Sequence, residues 1–412
     1  MPIPDLPLLP PEDSMLSLKF GKEIANYFTG SPLNRLSFLR TNHDFLQAAF
    51  SHSSAAFLAM NQLNPLVKDD SRLAFVSGHD ITPFTGPSPF GKKEEEAIRD
   101  YNSEETQPLI LFLGVAEKDQ CPSESGTTDP FQYKEYRGRP YFAVDVTPRG
   151  SLTDTANRVI TALKERGLSF HDSSPRHMGL AANEAAIYAQ ARSLLDWNAR
   201  NPFCAQCGQR TLSLNAGTKR VCPPTDLAGG EKRDRLPCAT RGTISNISFP
   251  RTDPTVIMAV VSSDGTRSLL GRNRRFPQNM YSALAGFLEP GESIEEAVRR
   301  EVWEESGVRV GRVVIHSSQP WPFPASLMIG AIGQALPGDG EKIHLGHDPE
   351  LEDARWFSVA ELEEALAKGS SNLGEPAPEG YREGSLRLPP QTAIANQLMK
   401  AVVDGWAFTP KI

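Results

Sequence analysis

Glu292, Arg300, Glu301, Glu304 and Glu305, crowded into one short stretch, are the side chains of this sequence best placed to do chemistry. Ser293 followed by Glu296 makes a capping box, so a helix should begin at Ser293, and Gly307 is the natural residue to end it. At about 100° per residue, Ile294, Ala297, Val298 and Val302 fall on one stripe that should face a core. Glu301 and Glu305 share that azimuth and Glu304 lies on its flank, whereas a merely solvated acidic face would place its carboxylates opposite the stripe. Glu301 and Glu305 are also a like-charge i,i+4 pair, costing ~0.2–0.5 kcal/mol. They sit near the helix C-terminus, where the dipole disfavours anions by roughly 0.3–1 kcal/mol. A cation must offset this, and hard carboxylate oxygens around open coordination positions suit Mg2+ or Mn2+.

The elements around this helix follow from periodicity. TVIMAVVS at 255–262 reads as a strand, Asp264-Gly265 offers a hairpin turn, SLLGR returns along it and SALAGFLE leads into the helix. VGRVVIHSS at 310–318, SLMIGAIGQAL at 326–336 and ARWFS at 354–358 read as further strands. Ser358 with Glu361 caps a second helix, and a last helix covers about 392–404. Mixed strands with helices on both faces make an α/β/α sandwich. A basic run nearby, Arg267, Arg272, Arg274 and Arg275, reads as a solvated hairpin that helps attract phosphate.

A second chemistry is written in cysteines. Cys204 and Cys207 form a C-x2-C knuckle, and Cys222 and Cys238 follow. Tetrahedral zinc takes four soft or borderline ligands, and a tight C-x2-C turn points two thiolates at one centre. No histidine lies between 208 and 238, so the second pair must be Cys222 and Cys238, with PPTDLAGGEKRDRLP as a loop inserted between them. Such a site would be closed and structural. Cys121 stands alone and reads as a structural residue.

At 412 residues the chain is too long for one ordinary domain. We divide it into an N-terminal α+β domain at 1–180, a helix with the zinc-binding segment at 181–246, and the acidic-helix domain at 247–412. In the first, NRLSFLR at 34–40, PLILFLGVA at 108–116 and RPYFAVDV at 139–146 read as strands, and 154–167 and 179–197 have helical periodicity. Its histidines, His43, His52 and His79 among them, show no ligand spacing. A net charge of −7 and a pI near 5.7 argue against a dedicated nucleic-acid binder. The proline-rich start is not a signal peptide, and 108–116, the longest apolar run, is too short to span a bilayer. Cytoplasm is the expected location. Lys411 sits like the middle of a peroxisomal tripeptide, from which Pro410 and Ile412 depart.

Residues 286–308, GFLEPGESIEEAVRREVWEESGV, fit the Nudix box G-x5-E-x7-R-E-U-x-E-E-x-G-U at every fixed position: Gly286, Glu292, Arg300, Glu301, Val302, Glu304, Glu305, Gly307 and Val308. The chain therefore resembles the Nudix hydrolases. Downstream, SQPWPFPAS at 318–326 holds Trp321 and Phe323 between three backbone-restricting prolines. With the C-x2-C segment upstream, this matches the NADH pyrophosphatase branch, and the resemblance spans roughly 186–405.

That resemblance implies a Nudix α/β/α sandwich behind a zinc ribbon, and metal-dependent hydrolysis of NADH, and of NAD+, to NMNH or NMN and AMP. It implies that Glu301 and Glu305 are metal ligands, that Glu304 is a further ligand or the base that activates water, that the Ala285 carbonyl joins the inner sphere, and that Glu350 is a distal metal-binding glutamate. Arg300 should orient Glu301 and Glu292 by charge-assisted hydrogen bonds. It places the substrate against the loop of Gln319, Pro320, Trp321, Pro322, Phe323, Pro324, Ala325 and Ser326, against Phe249, where some relatives carry tyrosine, and against Ala395. A homodimer is implied as well. Three rival readings are removal of NAD caps from RNA, broader hydrolysis of ADP-ribose or ADP-sugars, and a zinc-ribbon binding module on an inactive Nudix fold.

Overall fold

Two large sheets, each with helices on both faces, carry the chain in a computed structural model that describes residues 4–7, 23–117, 130–171, 179–242 and 249–405. The first is assembled from β1 (Leu33–Asn34), α1 (His43–Ser51), β2 (Ala56–Asn61), β3 (Asn64–Asp69), β4 (Arg72–Leu73), β5 (Phe75–Val76), α2 (Gly78–Thr85), α3 (Glu94–Arg99), β6 (Leu109–Glu117), β7 (Phe131–Tyr133), β8 (Tyr136–Asp145), α4 (Thr153–Glu165), β9 (Ser169–Phe170) and α5 (Ala182–Arg200). Its strands run in the order β1-β6-β8-β2-β3-β4, with β2 and β8 parallel. Side chains alternate across a strand, and β2 uses that alternation fully. Phe57 and Ala59 join a core with Phe45 and Phe50 of α1 and Val159 of α4, whereas Ala56, Leu58 and Met60 face Ala185, Tyr188 and Leu195 of α5. The expected α+β unit is thus itself three-layered. The helix that the sequence groups with the cysteines lies against this sheet.

One expected strand is not there. Only Leu33 and Asn34 of the 33–40 region pair, with Ala116 and Val115 of β6. The chain then turns through Leu36 in a left-handed conformation into a 3-10 turn at Ser37–Leu39. Leu36 and Leu39 are buried three residues apart while Phe38 is exposed, a turn spacing that a strand cannot provide. Cys121 and the C-terminal tripeptide lie outside the described residues.

The cysteine segment forms two small hairpins, β10 (Leu212–Leu214) with β11 (Lys219–Val221), and β12 (Thr225–Asp226) with β13 (Arg233–Asp234). The C-terminal sheet contains β14 (Asp253–Val261), β15 (Arg267–Asn273), β16 (Leu284–Phe287), β17 (Val310–Trp321), β18 (Ser326–Ala335) and β19 (Leu351–Ser358). Its order is β17-β18-β14-β15-β19, with β16 on β14, and β14 and β18 run parallel. Val256, Met258 and Val260 pack on Ala297, Val298 and Val302 of α6 (Ile294–Ser306). The alternate residues Ile257, Ala259 and Val261 pack on α7 (Val359–Lys368) and α8 (Ile394–Val403). This is the predicted sandwich. No helix among the described residues is long and apolar enough to cross a membrane.

Candidate active site and zinc site

Helix α6 begins and ends where its sequence dictates. The Ser293 hydroxyl accepts from the Glu296 amide at 3.3 Å, and the Glu296 carboxylate accepts from the Ser293 amide at 2.8 Å. Gly307 closes the helix with φ 72°, a left-handed conformation that glycine adopts without strain. The segment beyond β18 folds back over this end. The His344 amide donates to the Ser306 carbonyl at 2.8 Å and the Asp348 amide to the Glu304 carbonyl at 3.1 Å, so orphan C-terminal carbonyls find partners. His347 stacks on Trp303 with ring centroids 4.2 Å apart. This return delivers Glu350 to the neighbourhood of Glu305.

Arg300 organises the charges. Its Nε and Nη2 donate to the two oxygens of Glu292 at 2.7 and 2.8 Å, a bidentate pair. Its Nη1 donates to Glu301 at 2.8 Å and to Glu304 at 2.9 Å, and Nη2 also reaches the Phe287 carbonyl at 2.9 Å. One guanidinium therefore fixes Glu292, Glu301, Glu304 and the end of β16. The hydrogen bonds from Arg300 hold Glu292 below the usual carboxylate range. Burial pushes Glu301 up despite Arg300, with Glu304 and Glu292 adding repulsion.

Glu305 is the exceptional group. It is 4% exposed and has no cationic partner among the described residues. Burial first, then the charges of Glu350, Glu301 and Asp348, raise it to about 8, while a hydrogen bond from the Ala285 amide pulls the other way. A carboxyl buried beside other carboxylates is costly unless a cation joins it. The fit to a hard divalent ion is therefore good: Arg300 serves Glu292, Glu301 and Glu304 and leaves Glu305 uncompensated.

Gly286 explains how the carboxylates come so close to the sheet. A Cβ built there would lie 2.0 Å from the Glu301 carboxyl carbon and 2.1 and 2.2 Å from its oxygens. Gly286→Ala is thus expected to drive the Glu301 carboxylate off the β16 backbone while leaving the fold intact. We expect turnover to fall by roughly 10- to 100-fold, since misplacement of about 1 Å can cost that much, with the melting temperature nearly unchanged. A variant of wild-type rate would show that this position of Glu301 is unimportant.

The proline loop does something the sequence did not reveal. Gln319 is 1% exposed. Its Nε2 donates to the carbonyls of Tyr27 at 3.0 Å and Thr392 at 2.8 Å, and its Oε1 accepts from the Ile394 amide at 3.0 Å. Asn26 adds bonds to the Ser317 hydroxyl at 3.0 Å and the Ser318 carbonyl at 2.9 Å. Trp321 and Phe323 each present an edge to Phe28, with centroids 6.2 Å apart, while Arg192 of α5 covers the Phe323 ring at 4.6 Å and donates to the Pro322 carbonyl at 2.8 Å. The Phe323–Pro324 bond is cis. The Asp253 amide donates to the Ala325 carbonyl at 2.9 Å, and Trp321 and Ser326 are cross-strand partners next to Pro320. Ala395 is buried in α8, whereas Phe249 is 41% exposed. Gln319→Leu should cost about 2–3 kcal/mol, because it strands buried backbone groups. Denaturant unfolding would reveal it, and an unchanged midpoint would contradict the clamp. Of the basic run, Arg267 and Arg272 are already paired with Glu341 and Glu352 at 2.8 and 2.9 Å.

The four cysteines converge. Their sulfurs all lie within 4.8 Å of one another, with Cys204–Cys238 at 3.6 Å and Cys207–Cys222 at 3.5 Å. A disulfide needs about 2.05 Å, whereas tetrahedral zinc with Zn–S of ~2.3 Å sets sulfurs ~3.8 Å apart. Burial works against ionising Cys204, but the Thr240 hydroxyl and the amides of Cys207 and Gln206 outweigh it and lower the thiol to about 6. Burial and the neighbouring thiols push Cys222 up to about 12. A zinc ion fits this donor set.

An acidic helix laid over a glycine of a mixed sheet, with an arginine fixing two of its carboxylates and a third just before its start, defines the metal-assisted hydrolases of phosphoric anhydrides. Residues 251–376 match the family described as NUDIX domain, residues 54–197 the NADH pyrophosphatase-like rudimentary NUDIX domain, and residues 199–229 the NADH pyrophosphatase zinc ribbon domain. A Schizosaccharomyces pombe protein named NAD-capped RNA hydrolase is 38% identical over 93% of this chain and 94% of its own length. The human NAD-capped RNA hydrolase NUDT12 is 36% identical over 92% of this chain and 73% of its own. The human mitochondrial NAD(P)H pyrophosphatase NUDT13 is 39% identical over 64% and 68%. The chain belongs to the NADH pyrophosphatase family of Nudix hydrolases.

Proposed function

We propose that this enzyme hydrolyses the diphosphate of NADH and of NAD+, releasing NMNH or NMN and AMP. The observation that carries the reading is the buried, cation-demanding Glu305 beside Glu301 on a complete acidic helix. Mg2+ or Mn2+, held by Glu301 and Glu305 with Glu304, Glu350 and the Ala285 carbonyl as further donors, would neutralise the diphosphate and make water a better nucleophile. Arg300 keeps Glu292, Glu301 and Glu304 in one arrangement before substrate arrives, so little reorganisation is needed during reaction. Glu304 retains a side-chain exposure of 36% and can accept a proton from an incoming water. The loop around Trp321 and Phe323, with Phe249, is our proposed dinucleotide surface, with Gln319, Ser326 and Ala395 buried behind it as its support, and the cysteine cluster holds structural Zn2+.

The same diphosphate stands at the 5′ end of an NAD-capped RNA, and the names of the similar yeast and human proteins favour that substrate as a second reading. Product analysis after separate incubation with NADH, NAD+, ADP-ribose and NAD-capped RNA in Mg2+ decides among them. Release of AMP from NADH and NAD+ at comparable or higher kcat/KM than from the capped RNA supports the first reading, and cleavage of capped RNA alone overturns it. Exposed Val314 and Ile315 on β17, an edge strand, support a homodimer, which light scattering would measure. We place the protein in the cytoplasm, with Lys411 as the feature favouring peroxisomes, and fluorescence imaging of the tagged chain separates the two.

A further inference from the structure

A cavity of about 810 Å3 lies between the N-terminal sheet and the cysteine segment, and every residue lining it falls between His43 and Arg220. It shares no residue with the acidic helix. Its volume is that of a small-molecule site, and its walls are chemically incomplete. Arg220 projects from β11 and donates to neutral acceptors alone: the Thr211 hydroxyl at 2.7 Å, the Thr211 carbonyl at 3.1 Å, and the carbonyl and side-chain oxygens of Asn198 at 3.4 and 3.0 Å. No carboxylate among the described residues pairs with it, and burial lowers its pKa to about 10. The other cations at the cavity are accounted for differently: Lys92 pairs with Asp100 at 3.1 Å, Arg149 pairs with Asp145, and Arg210 lies exposed over Phe203. Glu104 and Glu105, also in the lining, are engaged by the Gly229 amide and the Asn102 side chain.

Three further polar atoms of lining residues are buried without a protein partner: Nδ1 and Nε2 of His43 and Oδ1 of Asn215. Buried polar groups are ordinarily satisfied, and each exception asks for an explanation. Phe90 and Tyr101 supply aromatic surface in the same wall. An uncompensated cation, unsatisfied donors and acceptors, and aromatic rings together describe a ligand that is anionic at one end and heterocyclic at the other.

We propose that this cavity is a second binding site that takes a nucleoside monophosphate, with the phosphate at Arg220 and the nucleoside hydrogen-bonded by His43 and Asn215 beside Phe90 and Tyr101. The site is independent of the catalytic reading, because none of its residues takes part in that reading. Equilibrium dialysis of the full chain against radiolabelled AMP, in buffer without Mg2+, tests it on wild type, His43→Leu, Arg220→Gln and, as a control on the acidic helix, Glu301→Gln. We expect one AMP per chain on wild type and on Glu301→Gln, with affinity at least 10-fold weaker in His43→Leu and Arg220→Gln. His43→Leu should keep the wild-type rate of Mg2+-dependent NADH hydrolysis and melt no lower, since its ring nitrogens have no protein partner to lose. It therefore decides the matter if Arg220→Gln fails to fold. No AMP bound to wild type, or binding lost in Glu301→Gln and retained in His43→Leu, overturns the proposal.

Discussion

Glu305→Gln is expected to lower turnover by roughly 10²–10⁴-fold, the range associated with losing a group that handles charge or protons in the transition state, while the variant melts no lower than wild type. The amide matches the carboxyl in size and cannot carry the charge that burial penalises. Stability against pH makes the argument independent of assay. The folded Glu305 carboxyl titrates at about 8 against an ordinary value of 4.5, so the fold binds this proton more tightly than the unfolded chain does. The resulting stability is fully present below 4.5 and is lost as pH climbs through 8. In Mg2+-free buffer, wild type should lose up to about 1.4 kcal/mol per pH unit across that window, and Glu305→Gln should lack this component. Added Mg2+ should restore wild type at pH 8 and leave the variant unmoved. Parallel pH profiles of wild type and variant without metal, or a variant with near-normal turnover at saturating Mg2+, would show that Glu305 does not hold a cation.

Cys207→Ser should have the largest effect on stability. Structural zinc contributes an apparent ~10–16 kcal/mol in small zinc-binding peptides, and here the two hairpins contain only short strands and little core of their own. Their attachments to the N-terminal half all presuppose a formed ribbon: Lys219 to Glu94 at 2.6 Å, Asn198 to the Gly217 carbonyl at 2.8 Å, and the Ser103 amide to Asp226 at 2.9 Å. We expect zinc content to drop from about one per chain to near zero, with an early unfolding transition ahead of the main one. Metal analysis and calorimetry read both. After wild type is treated with a chelator the same early transition should appear, and Zn2+ should abolish it whereas Mg2+ should not. A zinc-free variant with a single, unshifted transition would remove the cysteines from any structural role.

Local physics made the catalytic helix legible. A capping box, an apolar stripe and a terminal glycine are all neighbours along the chain, and their spacing is the helix. The same holds for β14, whose unbroken apolar run buries both faces. The cysteine cluster was legible because ligand type and turn geometry constrain each other. What could not be read is what joins residues far apart. Gln319 is tied to Tyr27 across a separation of 292 residues, and nothing in SQPWPFPAS announces that partner. Residues 34–40 misled for the opposite reason: their apolar residues are few enough to satisfy two periods, and burial of Leu36 and Leu39 favoured the turn. Arg300 was read as orienting Glu292 and Glu301, but its reach to Glu304 and to the Phe287 carbonyl depends on how β16 lies beneath α6.

The hairpin carrying Trp321 and Phe323 has a consequence for dissecting the protein. Its tip is seated on Phe28 and Arg192, far upstream in the chain, so a shortened polypeptide beginning near Pro250 would leave two large rings facing water and Gln319 without its Tyr27 partner. Such a fragment should self-associate, and its aggregation would say nothing about whether the acidic helix had formed.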